Sequence, residues 1–355
     1  MRKGLEVKRM HKQTPVWLQG QDPVVLATFI GIHRNLKGYF FPHIATEEDN
    51  AEVADTIIKA MKYHPETRSY RYFTTDCITD IDRAFAYERQ LTGSLLFFKP
   101  APEEDISGVI YRKDEQLTIT MNDDDHIQIR TMFPGYPTTE GFEQAQAMAD
   151  FLETKIEMAK NNCFGYLTSS PALMGTGFTM SVMMHVPAII SVESIEMVFD
   201  ILRKWDLVPS GIFGPNTNPH GNVMTINNKN MRGLTEEGVI KRMREAVDEV
   251  RSLEMQVREA HKDDLELIDF IFRSYGLIQH AKLVPLMDAG ISISMIRLGI
   301  DLGLISGIDP YVLNALFGKV FTGHLCHYGL AGTSAEEDRG ILIHTFFEEC
   351  VNKTN

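Results

Sequence analysis

GYLTSSPALMGTGFTMSVMMHVPAI, residues 165–189, is the stretch from which the fold can be read. Phe164–Thr168 and Thr179–His185 have the apolar, β-branched and aromatic content of strands, and a loop of small residues joins them. In that loop, Gly175-Thr176-Gly177 has two readings. It is a tight turn that needs positive φ, or a place where backbone N–H groups approach an anion. Upstream, FPGYP marks a turn before an amphipathic helix expected over Thr139–Asn161, and residues 107–130 alternate as a hairpin around Lys113-Asp114-Glu115. Residues 50–62 have helical spacing. Downstream, a helix is expected over Val192–Trp205, then a glycine- and asparagine-rich loop at 211–222. Thr235, followed by Glu236 and Glu237, suits the start of a charged helix reaching His261, and from Asp263 the pattern is wholly helical. The organisation predicted is an N-terminal extension (1–20), a mixed α/β domain (21–255) and an all-α domain (256–355).

With 355 residues and 44% hydrophobic content the chain can bury a large core. A formal charge of −13 and a pI near 5.4 argue against nucleic acid or an anionic membrane as the main partner. The four cysteines, Cys77, Cys163, Cys326 and Cys350, form no CxxC pair and read as reduced, mostly buried thiols. The basic N-terminus is followed by no apolar stretch of signal-peptide length, and the apolar run Val182–Ile190 is too short to span a bilayer. The expectation is a cytoplasmic protein. Asn122-Asp123-Asp124-Asp125-His126 reads as a metal or general-base site, or as a solvated turn. Met183-Met184 reads as core filler.

Taken in order, these stretches resemble one family. VVLATFIGIHRNL (24–36) is similar to a motif in which Ser/Thr-Arg-x-Arg precedes Leu-Ala-Arg-Asn-Leu. NDDDHIQI (122–129) resembles Asn-Glu-Glu-Asp-His-x-Arg-Ile, and residues 165–189 resemble Gly-Tyr-Leu-Thr-x-Cys-Pro-Thr-Asn-x-Gly-Thr-Gly-x-Arg-Ala-Ser-Val-Met-Leu-His-Leu-Pro-Ala. FRSYGLIQHAKLV (272–284) and IRLGIDLGLISG (296–307) resemble the C-terminal domain of McsB-type protein arginine kinases, within the ATP:guanido phosphotransferase (phosphagen kinase) family. The resemblance implies an α+β fold: an antiparallel sheet flanked by helices, glutamine-synthetase-like, followed by the helical domain. It also implies a homodimer, with a zinc-binding McsA-type activator and the Clp protease machinery as partners.

In active members, the resemblance implies, arginines hold the phosphates of Mg-ATP while two glutamates position and deprotonate a guanidinium. The five arginine positions fall on Phe29, Gly31, Gln128, Thr179 and Ser210, and a histidine near the nucleotide falls on Gln90. The two glutamates fall on Asp124 and Asn218, the substrate-side cysteine on Ser170, and Pro215 replaces the first glutamate of its loop. An Arg-Asp pair that binds phosphoarginine falls on Glu337-Asp338. Each hydrogen bond to a charged group contributes about 1.5–3 kcal/mol, and one arginine on a transferring phosphate is worth roughly 10³–10⁵ in rate. The expectation is therefore a pseudokinase, with no cofactor and no metal, that acts as a binding or adaptor protein in protein quality control. The rival expectation is an active protein-arginine kinase that uses Mg-ATP through relocated cations, chiefly Arg34 and Arg130, with Lys229 and Arg232 in reserve.

Overall fold

The computed structural model describes residues 1–93, 107–214, 219–230, 233–330 and 332–352, the last three by backbone alone. Asn218 and Pro215, and Arg232 among the reserve cations, lie outside the described residues. The strands are β1 (Arg2–Lys3), β2 (Val25–Arg34), β3 (Tyr70–Thr74), β4 (Gly108–Arg112), β5 (Leu117–Met121), β6 (Ile127–Pro134), β7 (Lys160–Asn161), β8 (Gly165–Tyr166), β9 (Phe178–His185), β10 (Leu207–Gly211) and β11 (Val223–Asn228). Nine of them form one sheet in the order β1-β3-β4-β5-β6-β2-β9-β11-β10, and β7 pairs with β8. The sheet is mixed, because β1 runs parallel to β3 whereas β3 to β6 form an antiparallel meander. Every residue of β2 is buried, as a central strand covered on both faces must be.

The helices before the all-α part are α1 (Val7–Met10), α2 (Glu47–Lys62), α3 (Asp80–Glu88), α4 (Thr138–Glu153), α5 (Pro187–Ser191) and α6 (Ile195–Lys204). Thr46 and Asp49 close a reciprocal capping box at the start of α2. There follow α7 (Glu236–His261), α8 (Leu265–His280), α9 (Leu286–Asp301), α10 (Pro310–Lys319), α11 (Thr322–Leu325) and α12 (Ala335–Asn352). Thr235 does cap α7, its hydroxyl accepting from the Gly238 N–H at 3.2 Å.

Contacts divide the chain into two compact units. One comprises Met1–Glu6, Thr28–Ser181 and Asn227–Met243; the other comprises Val7–Ala27, Val182–Ile226 and Arg244–Asn355. The second unit carries a buried charge network. The Glu254 carboxylate, fully buried, accepts from the Ala188 and Ile189 N–H groups at the start of α5 and from Arg258. Arg258 also donates to Asp301, as does Arg297, which reaches Asn314 at 2.7 Å. In the same unit the His220 ring packs against Phe317 and Phe321, and burial followed by the nearby Arg339 pulls its pKa down to about 4.

Three readings of the sequence are corrected. The helix predicted over Thr139–Asn161 ends at Glu153, where the Thr154 hydroxyl donates to the Phe151 carbonyl, and the chain then enters β7. The strand predicted over Phe164–Thr168 is only Gly165–Tyr166. The thiols of Cys77, Cys163 and Cys326 are exposed rather than buried, and all three are free. No helix is long and apolar enough to cross a membrane among the described residues.

Candidate functional site

Alternation along β2 puts Phe29, Gly31 and His33 on one face, and the same alternation puts Gln128 and Arg130 together on β6. Gln128 and, from β9, Thr179 approach His33 with the Gln128 Nε2 and the Thr179 Oγ1 each 3.5 Å from the imidazole Nε2. These side chains form the floor of the candidate site. At Phe29, Gly31, Gln128 and Thr179, where the resemblance implies arginine, the floor offers an aromatic ring, a bare backbone, an amide and a hydroxyl. It can give hydrogen bonds and apolar contact, but those four positions supply no charge.

Two arginines considered as relocated cations have other partners. The Arg130 guanidinium donates to the Gln90 carbonyl and lies 5.5 Å from the centre of the Phe29 ring. Its burial draws the pKa down to about 10, against the opposing influence of Asp123. Gln90 itself is buried, in left-handed backbone at φ 61°. Arg34 is buried and ion-paired to Glu153, stacks 3.4 Å over the Tyr166 ring, and donates to the carbonyls of His33 and Thr176 at 2.8 Å. It thus pins the loop that ends at Gly177. That glycine sits at φ 66°, where a Cβ would come 2.4 Å from the His33 carbonyl, so the loop is the tight turn of the first reading. Lys229 is exposed.

The Asn122–His126 stretch is not a solvated turn. Only Asp124 is exposed; the other four residues are buried. His126 accepts at Nδ1 from the Leu36 N–H, which leaves Nε2–H to donate to the Phe40 carbonyl at 2.9 Å, so both ring nitrogens are committed to the backbone. Asp125 accepts from His33 Nδ1, from the Asn35 amide at 2.6 Å and from the Ser169 N–H at 2.7 Å. Burial raises its pKa, but these donors outweigh burial and hold it below the ordinary carboxylate value. Among the described residues no group of His, Cys, Asp and Glu is arranged to hold a metal.

Asp124 is therefore the carboxylate of this stretch that faces solvent. Ser170 is half-buried next to Ser169, and its carbonyl accepts from the Thr168 hydroxyl. In the other unit, Ser210 donates to the Gly211 carbonyl, Asp338 accepts from the Gly332 N–H, and Glu337 accepts from Thr333. Arg339 is buried and committed to the carbonyls of Val320 and Val284. The residue that motif matching passed over is His33. Its signal was available in VVLATFIGIHRNL, where the similar motif has alanine at this place.

Comparison with known proteins agrees with this architecture. The ATP:guanido phosphotransferase C-terminal catalytic domain matches residues 52–257, and the protein-arginine kinase McsB C-terminal domain matches residues 264–353. The protein-arginine kinase of Halalkalibacterium halodurans is 31% identical over 336 residues, spanning 92% of this chain and 93% of that protein. That of Brevibacillus brevis is 30% identical over 339 residues, with coverage of 92% and 93%. Among solved structures, the substrate-free duplicated taurocyamine kinase from Schistosoma mansoni aligns with a TM-score of 0.57 at 20% identity, covering 76% of this chain and 40% of that one. Lombricine kinase aligns at 0.56 and 20% identity, covering 72% of each chain, and at this identity both likenesses speak to the fold alone. Matched by both domain models and by relatives along nearly its full length, the chain belongs to the ATP:guanido phosphotransferase family, among the protein-arginine kinases.

Proposed function

We propose that this member of the family has given up ATP-dependent phosphotransfer and acts by binding other proteins. The observation that carries the reading is the floor itself: Phe29, Gly31, Gln128 and Thr179 carry no charge, and Arg130 is turned to the Gln90 carbonyl beneath Phe29. Phosphoryl transfer relies on positioning and charge neutralisation far more than on covalent help from the protein. A magnesium triphosphate does not fit these four floor positions, which give it no countercharge. The McsA-type zinc-binding activator and the Clp machinery are the first partners to test, in a cytoplasmic setting and with the chain as a homodimer. Asp124 and Asp338 remain as carboxylates that a cationic partner segment would meet.

The second reading is an active protein-arginine kinase, favoured by the protein-arginine kinases that match this chain at 30–31% identity. It makes Asp124 the base and Arg34, Arg130 and Lys229 the phosphate ligands. Calorimetric titration of the purified protein with Mg-ATP separates the two. No saturable heat at millimolar nucleotide is the expected result. Saturable binding, with phosphoarginine appearing on an added protein substrate, would overturn the proposal in favour of the kinase.

A further inference from the structure

The floor of the site is rebuilt, and its parts interlock. His33 lies on β2, almost wholly buried, with Nδ1 3.0 Å from the Asp125 carboxylate. That carboxylate is itself anchored by Asn35 and by the Ser169 N–H, so the acceptor bracing the imidazole cannot follow it if it swings away. The ring is thereby held in one orientation, Nδ1–H toward Asp125, with Nε2 between the Gln128 amide and the Thr179 hydroxyl. The Thr179 hydroxyl occupies the space above Gly31: a Cβ built on Gly31 would lie 2.1 Å from Thr179 Oγ1 and 3.8 Å from His33 Nε2. Approach to 2.1 Å is far inside van der Waals contact, so any side chain at 31 requires Thr179 to move. The same hydroxyl lies 3.5 Å from the His33 Nε2, so Gly31, Thr179 and His33 meet at one place.

We propose that Gly31, His33 and Thr179 form one interlocked plug, braced by Asp125, that fills the phosphate end of the cleft. Nucleotide is then excluded by occupancy as well as by missing charge. This rests on the reading that the site has given up ATP and adds a cause that lost charge does not contain. Restoring arginines at the five positions removes the Thr179 hydroxyl but does not restore binding while His33 remains, because the braced imidazole stays in the middle of the floor.

The test has two arms. Without nucleotide, Gly31→Ala lowers the melting temperature by about 2–4 °C. Thr179→Ala changes it little, and the double variant recovers most of the loss. With nucleotide, a revertant carrying Phe29→Arg, Gly31→Arg, Gln128→Arg, Thr179→Arg and Ser210→Arg is titrated with Mg-ATP beside the same revertant carrying His33→Ala. The second binds at least about tenfold more tightly, a difference of about 1.4 kcal/mol. Equal affinity with and without His33, or a Gly31→Ala protein as stable as the original, overturns the plug. Mg-ATP binding by the unaltered protein instead overturns the reading beneath it, so the two failures are told apart. Should the revertants not fold, as their melting curves will show, the Gly31/Thr179 pair decides alone.

Discussion

At the His33 imidazole one buried carboxylate, Asp125, meets the ring, an amide and a backbone N–H. Around Glu254 three charged side chains are buried and a fourth, Asp301, is partly exposed, and each is answered by another or by the start of a helix. Removing charge from water costs several kcal/mol per ion unless a partner and further hydrogen bonds repay it. The helical network meets that condition from within the chain. A phosphate site cannot, because its arginines stay unmatched until the ligand arrives. Around Glu254 the chain supplies its own counterions, and the floor positions where the resemblance implies arginine hold no charge.

The largest effect should come from breaking the self-answered network. Arg258→Met leaves Glu254 and Asp301 without their shared cation and should cost about 3–5 kcal/mol in urea unfolding. A loss under about 1 kcal/mol would mean the network is no stronger than surface pairs, and the contrast would collapse.

His220 sharpens the comparison because it is a buried base with no acid beside it. Its pKa is drawn down to about 4 by burial and then by Arg339, so the unfolded chain binds its proton first as pH falls. Stability is full above the ordinary histidine value and is lost between about pH 6.5 and 4, to the extent of about 3 kcal/mol. His220→Leu should flatten that slope. An unchanged slope would assign it to other groups, such as His185, whose pKa burial also holds well down.

Asp125→Asn keeps the shape and removes the charge, and should cost about 2 kcal/mol. Since the Asp125 pKa is depressed in the folded state, its contribution is present above about pH 4 and fades as pH falls further. The asparagine variant should lose less stability on acidification below that point. The smallest effect belongs to the exposed Lys37–Glu157 pair, where Lys37→Ala should stay within about 0.5 kcal/mol of the original.

Much of this was legible in the sequence, and the failures have physical causes. β4, β5 and β9 fell where alternation placed them, because period-two patterning survives wherever strand neighbours are fixed on both sides. The helix expected over residues 139–161 runs too long: Ile156 and Met158 are buried, but they lie past the last helical residue, Glu153. Burial alone does not report period. Motif order singled out Phe29, Gly31, Gln128 and Thr179 as places where the resemblance implies arginine. It could not disclose that residue 33 meets residue 125 across 92 positions, or that a hydroxyl at 179 fills the space over a glycine at 31. Such contacts are properties of the assembled sheet, and no local pattern encodes them.

The two terminal strands of the nine-stranded order bear on behaviour at high concentration. A large sheet is a template for adding further strands from another molecule, and the danger lies at its ends. At one end stands β1, only two residues long; at the other stands β10, whose Pro209 has no N–H to offer. A short strand and a proline both deny an incoming chain a continuous ladder of hydrogen bonds. The sheet can therefore be wide without recruiting neighbours edge to edge.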